Sequence, residues 1–239
     1  MSKLIDFTFS PLRAVLSILL QDKTTKKNII WATDAYAENG DGFLDKQEIK
    51  ASRLMNFPSL IKPRIEKTQE DQQDRTRKKA EVFTPAWLCN RMNNYCDESW
   101  FGRKNVFNIE NSDHTWDVVQ GKVEMPEGRT WKQYVDSRRL EITCGEGPFL
   151  VSRYNAAAGQ VIDPPKRRIG ILDRKLRIVN ENTESYDDWL KWTTRAFEAV
   201  YGFEYQGDSL LIARINLLLT FVDYYEDRWK EEPDIKLLK

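Results

Sequence analysis

A chain of 239 residues with 41% hydrophobic and 31% charged side chains has the length and composition of one large soluble globular domain, or of a core domain with a helical appendage. Lys plus Arg and Asp plus Glu balance at 37 each, so the net charge is zero; any nucleic-acid contact must come from a local patch or from a partner, since free-standing DNA binders are usually basic. Three cysteines (Cys89, Cys96, Cys144) and one histidine (His114) argue against a disulfide framework and a paired zinc spacing, and no run approaches the roughly 18 apolar residues of a membrane span.

The first apolar periodicity is Leu12, Val15, Leu16, Leu19 and Leu20, at helical spacing. Arg13 interrupts the run and no small-residue cleavage site follows, so a secretory signal is not expected and the chain reads as cytoplasmic. The segment Ala37-Glu38-Asn39-Gly40-Asp41-Gly42-Phe43-Leu44-Asp45-Lys46-Gln47-Glu48 resembles an EF-hand loop, with Asn39, Asp41, Gly42 and Glu48 at loop positions three, five, six and twelve. Position one is Ala37, which removes a first carboxylate, and no second loop is present to pair with it. The competing reading is a glycine-rich turn between helices over 29–36 and 49–54, and no metal site is assigned.

Residues 64–80 are almost wholly polar and read as a solvated helix or connector, closing with the basic cluster Arg75, Arg77, Lys78 and Lys79. After Phe83-Thr84-Pro85 a helix is expected over 86–95, with Pro85 at its first position, where a missing N–H costs nothing. Residues 103–128 read as loop, with His114 in a surface role. A short strand over 139–143 is broken by Cys144-Gly145-Glu146-Gly147, and a helix is expected from about Pro148. A helical insertion over about 153–197 follows. It carries a second basic cluster, Lys166, Arg167, Arg168, Arg174, Lys175 and Arg177, a candidate for phosphate contact, and a helix capped by Ser185. A strand over 200–205, a turn at 206–208 and a long helix striped by Leu211, Ile215, Leu218, Val222 and Tyr225 end the chain.

A strand ending near an acidic residue, then a Gly-x-Gly turn, suits ligand binding, because glycines permit positive φ and remove the Cβ atoms that keep a ligand from the backbone. A second acidic residue at the end of the next strand can accept bonds from two ribose hydroxyls, as in dinucleotide-binding folds. Gly145 and Gly147 supply the turn, Glu204 is the ribose candidate, and Tyr205 is placed to lie against an adenine ring.

Glu141-Ile142-Thr143-Cys144-Gly145-Glu146-Gly147-Pro148-Phe149-Leu150 resembles the first motif of adenine-N6 DNA methyltransferases, and Tyr201 to Leu217, with Ala213-Arg214-Ile215-Asn216, resembles the second. Ala80-Glu81-Val82-Phe83-Thr84-Pro85 is similar to the Phe-x-Thr-Pro element that precedes them in that family, with Ala80 where the family commonly has Gly. The resemblance covers about residues 75–230. It implies S-adenosylmethionine as cofactor, with Phe83, Thr84 and Pro85 lining its methionine end, Glu141, Cys144, Gly145 and Gly147 forming the cofactor turn and Glu204 holding the ribose, and a restriction-modification context with DNA as partner.

The separation of Glu141 from Glu204 departs from the roughly 20 residues of a simple βαβ unit. The Asp/Asn/Ser-Pro-Pro-aromatic tetrapeptide that binds the target amine in the family is also missing. Asp163-Pro164-Pro165-Lys166 precedes the second motif, lacks an aromatic residue and reads as a loop. The expected fold is therefore α/β and helix-rich: an incomplete Rossmann-like class I methyltransferase fold, with a helical N-terminal region over 1–80 and a partial cofactor domain over 81–239. No catalytic residue is assigned, and a further catalytic or recognition region or subunit is expected to complete the activity. The rival expectation is a non-catalytic interaction or regulatory module that keeps the fold.

Overall fold

The computed structural model describes residues 4–79, 81–82 and 84–239. In chain order the elements are α1 (Leu12–Leu20), α2 (Ala51–Asn56), α3 (Gln69–Lys79), α4 (Ala86–Phe101), β1 (Asn108–Glu110), β2 (Trp116–Val118), α5 (Trp131–Asp136), β3 (Arg139–Ile142), α6 (Ile171–Asn182), α7 (Tyr186–Glu198), β4 (Val200–Phe203) and α8 (Gly207–Trp229). The protein is helix-rich, and among the described residues its strands form two two-stranded sheets, β1–β2 and β3–β4. The chain divides into two compact units, residues 1–82 with 203–239, and residues 83–202.

The first unit is built on α1, whose Leu12, Val15, Leu16 and Leu20 face inward as their spacing predicts. Leu211, Ile212 and Ile215 of α8 join the same core, with Trp31, Tyr36, Phe43, Ile49 and Leu54. The segment 29–36, expected as a helix, is not one: residues 29–32 are extended, and 33–36 form bends and a turn. Its backbone pairs with residues 45–49: Trp31 N–H donates to Gln47 O at 3.0 Å, Ala32 N–H to Asp45 O at 2.7 Å, and Ile49 N–H to Ile29 O at 2.9 Å. The β-branched Ile29 and Ile30 suit a strand-like segment, and Ala32 at φ 51° turns the chain out of it.

In the second unit, α4 begins at Ala86 as expected and runs past 95 to Phe101; Pro85 is its N-cap and not its first helical residue, and its carbonyl accepts from the Leu88 and Cys89 N–H groups at 2.9 and 3.1 Å. Gly102, in the left-handed region at φ 69°, ends it. The stretch expected as plain loop contains the hairpin β1–β2, with Ile109 opposite Asp117. Its strands are three residues long, and the inward Asn108 exchanges amide bonds with Asn90 of α4 at 3.0 and 2.8 Å, so no apolar alternation betrays it. The helices of the expected insertion are present as α6 and α7, and Ser185 caps α7 by accepting from Asp188 N–H at 3.3 Å.

Strands β3 and β4 run the same way. Arg139 N–H, at the start of β3, donates to Ala199 O, just before β4, at 3.0 Å, while Cys144, just after β3, lies against Gly202 near the end of β4. Parallel neighbours need a crossover connection, here carried by α6 and α7.

Candidate functional site

The turn after β3 holds three residues in the left-handed region: Thr143 at φ 56°, Gly145 at φ 54° and Gly147 at φ 81°. The glycines adopt this without penalty; a β-branched threonine does not, and such outliers cluster at ligand-binding sites. Gly147 N–H donates to Cys144 O at 2.7 Å, and Leu150 and Val151 N–H groups return to Gly147 O at 3.0 and 2.9 Å.

No helix follows from Pro148; after a short 3-10 turn at Pro165–Arg167, the next α-helix is α6, from Ile171. The reason is tertiary. Ser152 is pinned in a bonded cradle: its N–H donates to Asp173 Oδ2 at 2.8 Å, and its hydroxyl accepts from Ile169 N–H at 2.7 Å. The chain is held away from helical geometry by these partners, so the turn lacks the helix N-terminus that would have offered free N–H groups.

The Cys144 side chain is buried against β4. A β-carbon on Gly202 would stand 3.0 Å from Cys144 Sγ and 2.9 Å from Leu150 Cδ1, which explains a glycine there. Cys144 can therefore offer a ligand its backbone only.

The start of α4 is brought to the same neighbourhood. Cys89, fully buried in its first turn, points its thiol at Thr84 O at 3.7 Å. Burial first, and the Glu141 carboxylate second, push this thiol up to about 12. Further along α4, Asn93 donates to Phe149 O at 3.1 Å and Ile169 O at 2.9 Å, holding the irregular segment that leaves the turn. Phe83 lies outside the described residues.

Glu204 and Tyr205 belong to the first unit. Glu204 Oε1 accepts from Gln206 N–H at 2.9 Å, and Tyr205 is 83% exposed, its ring open to a stacking partner.

The second basic cluster is largely internal. Residues Leu172 to Val179 of α6 are all buried, and Arg168 is buried as well. Arg174 pairs with Asp97 and donates to Asn90 Oδ1 and Asn94 Oδ1, each at 2.8 Å. Lys175 donates to the carbonyls of Val135 (2.9 Å), Ser137 and Ala199 (3.4 Å). Burial, with Arg139 and Arg195 nearby, lowers its ammonium to about 7. Arg177 donates to Phe107 O at 3.0 Å and Val119 O at 2.8 Å. Only Lys166 and Arg167 of the six remain accessible, which corrects the expectation of a six-residue phosphate-contacting patch. The signal that could have found this interior is polar periodicity: Asn90, Asn93, Asn94 and Asp97 repeat at helical spacing on the inward face of α4.

The first basic cluster is also divided. Arg75 is buried against Glu81 and Asp208, while Arg77 is exposed.

The loop 37–48 is two 3-10 turns, Ala37–Asn39 and Asp41–Phe43. Glu48, at the would-be bidentate position, instead accepts from Asn28 N–H at 3.1 Å. Arg53 lies across Gly42, donating to its carbonyl, which Trp31 Nε1 also reaches at 3.2 Å. A cation is thus already placed on the loop. Among the described residues no group of three or more His, Cys, Asp or Glu side chains could hold a metal, and no helix is long and apolar enough to cross a membrane.

Comparison of the chain with family models, with curated proteins and with solved structures gave no match.

Proposed function

We propose that this chain binds S-adenosylmethionine through the turn at residues 141–150, as the cofactor-binding portion of an adenine-N6 DNA methyltransferase of a restriction-modification or related defence system. The observation that carries the reading is the turn itself, with a strained Thr143 and left-handed Gly145 and Gly147, together with the bond from Asn93 of α4 to the Phe149 carbonyl just after it at 3.1 Å. The helix that opens after Thr84–Pro85 is thus bonded to the segment that follows the glycines, which supports the reading. The parallel pair β3–β4, crossed over through helices, agrees with a Rossmann-like sheet in part. Glu204 and Tyr205 take the ribose and adenine roles by motif order.

The chain is expected to capture cofactor without turnover. In β3 the burial alternation is inverted: Leu140 and Ile142 are exposed, whereas Arg139 and Glu141 are half-buried. Strands of a parallel sheet are ordinarily covered on both faces, so this apolar face agrees with a further region or subunit that packs over it and supplies the amine-binding residues. The missing helix after the turn favours the rival reading, a non-catalytic module that retains the fold.

Titration calorimetry with S-adenosylmethionine separates the two. Saturable binding with a micromolar to sub-millimolar Kd, lost in Gly147→Val, is expected; absence of binding at millimolar ligand would overturn the cofactor reading. With DNA and labelled cofactor the isolated chain is expected to transfer no methyl group.

A further inference from the structure

The three residues that follow Tyr205 are each clamped by the N-terminal segment of the same unit. Gln206 Oε1 accepts from Arg75 Nη2 at 3.2 Å. Gly207 N–H donates to Trp31 O at 2.8 Å, and a β-carbon on Gly207 would stand 1.8 Å from the Ile30 carbonyl oxygen. Asp208, fully buried, accepts from the Tyr36 hydroxyl at 2.7 Å and from Arg75 at 2.9 Å, with Lys67 at 3.7 Å. The receiving side is itself rigid, since residues 29–32 are paired along their backbone with 45–49 and Arg75 is held by Glu81.

These clamps reach Glu204 by one further step, because the Glu204 carboxylate is anchored on the N–H of Gln206, the first clamped residue. We infer that Asp208, with Tyr36 and Arg75, is a positioning residue that fixes the Glu204 carboxylate for two-point recognition of a vicinal diol, the ribose of an adenosyl ligand. This inference rests on the S-adenosylmethionine reading and adds a role for the N-terminal segment within it. A buried ionic cluster is a poor device for stability alone, because well-packed apolar residues would serve as well. What it supplies is a fixed geometry, and a bidentate carboxylate contact demands placement to within about 0.5 Å.

The test measures affinities for S-adenosylmethionine and for its 2′-deoxy analogue in the full chain and three variants. The natural chain is expected to prefer the ribose ligand by about 10-fold or more, as charged hydrogen bonds do. Glu204→Gln should abolish that preference. Asp208→Asn should reduce it to within about 3-fold while leaving affinity for the deoxy analogue unchanged, which a merely structural role would not do. Tyr36→Phe, a milder change that keeps the ion pair, should lower the preference part of the way and serves if Asp208→Asn does not fold. A preference abolished by Glu204→Gln but intact in Asp208→Asn and Tyr36→Phe overturns the positioning role alone. An equal loss for both ligands does so as well. A preference that survives Glu204→Gln overturns the ribose assignment, and failure of every form to bind either ligand overturns the cofactor reading beneath it.

Discussion

Replacing Arg174 with Met tests whether the second unit is held by an internal charge cluster. Arg174 is 1% exposed, and its guanidinium pairs with Asp97, bonds two asparagine side chains at 2.8 Å and lies 5.4 Å from the Phe107 ring centroid. Met fills much of the volume but returns none of the donors. Asp97, 5% exposed, would keep the Tyr134 hydroxyl, which donates at 2.8 Å and whose ionisation is suppressed by burial and by the Asp97 charge. Stripping one partner from a buried pair costs about 3–5 kcal/mol. For a chain of this size that lowers Tm by about 6–20 °C. Urea unfolding followed by circular dichroism measures the loss, and the double variant Arg174→Met/Asp97→Asn should recover at least about 1 kcal/mol of it, because no unpaired charge is then buried. A loss below about 1 kcal/mol, the range of exposed ion pairs, would refute the reasoning; so would a double variant no more stable than the single.

Burial raises the Asp173 carboxyl from 3.8 to about 6, against the opposing pull of Arg168 and of donors from Ser152 and Gly170. The folded chain therefore keeps this proton longer than the unfolded chain does. The stability it contributes is present below about pH 4 and is lost as pH rises through about 6, a change of at most about 3 kcal/mol. Asp173→Asn should lack that slope; urea unfolding of both forms from pH 4 to 7 checks it, and a pH-independent difference contradicts it. Lys175→Met leaves the carbonyls of Val135, Ser137 and Ala199 without this donor and should cost more than about 3 kcal/mol by the same assay. A loss under about 1 kcal/mol would show those carbonyls to be satisfied by water. Millimolar calcium should leave Trp31 emission unchanged, since Trp31 is bonded to the Gly42 carbonyl that Arg53 already occupies; a saturable change would restore the loop as a cation site.

Elements whose signals are local were legible in the sequence. The apolar spacing of α1 and α8, the Ser185 cap of α7 and the short run of β3 before its glycines all lie within a few neighbouring residues. Elements decided by distant partners were not. Residues after Pro148 fail to form a helix because Asp173 and Ile169 hold Ser152. Residues 29–32 are extended because 45–49 pair with them, and the charges of α6 are internal because α4 meets Arg174 with Asp97, Asn90 and Asn94 while distant backbone carbonyls receive Lys175 and Arg177. The candidate site divides in the same way. Thr84–Pro85 and the glycine turn stand out as motifs, but the bond from Asn93 of α4 to Phe149 after the turn depends on how α4 packs. The clamp on Asp208 comes from Tyr36, 172 residues away in sequence, and no pattern reading reaches that far.

Amide hydrogen exchange with and without S-adenosylmethionine tests the central claim most directly, because it reports where a ligand is held as well as whether it binds. Slower exchange on ligand addition is expected for the amides of residues 143–151, around the strained Thr143 and the two left-handed glycines, and at the start of α4. Unchanged exchange there at millimolar ligand, or protection confined to other parts of the chain, would contradict the assignment of this turn as the cofactor site.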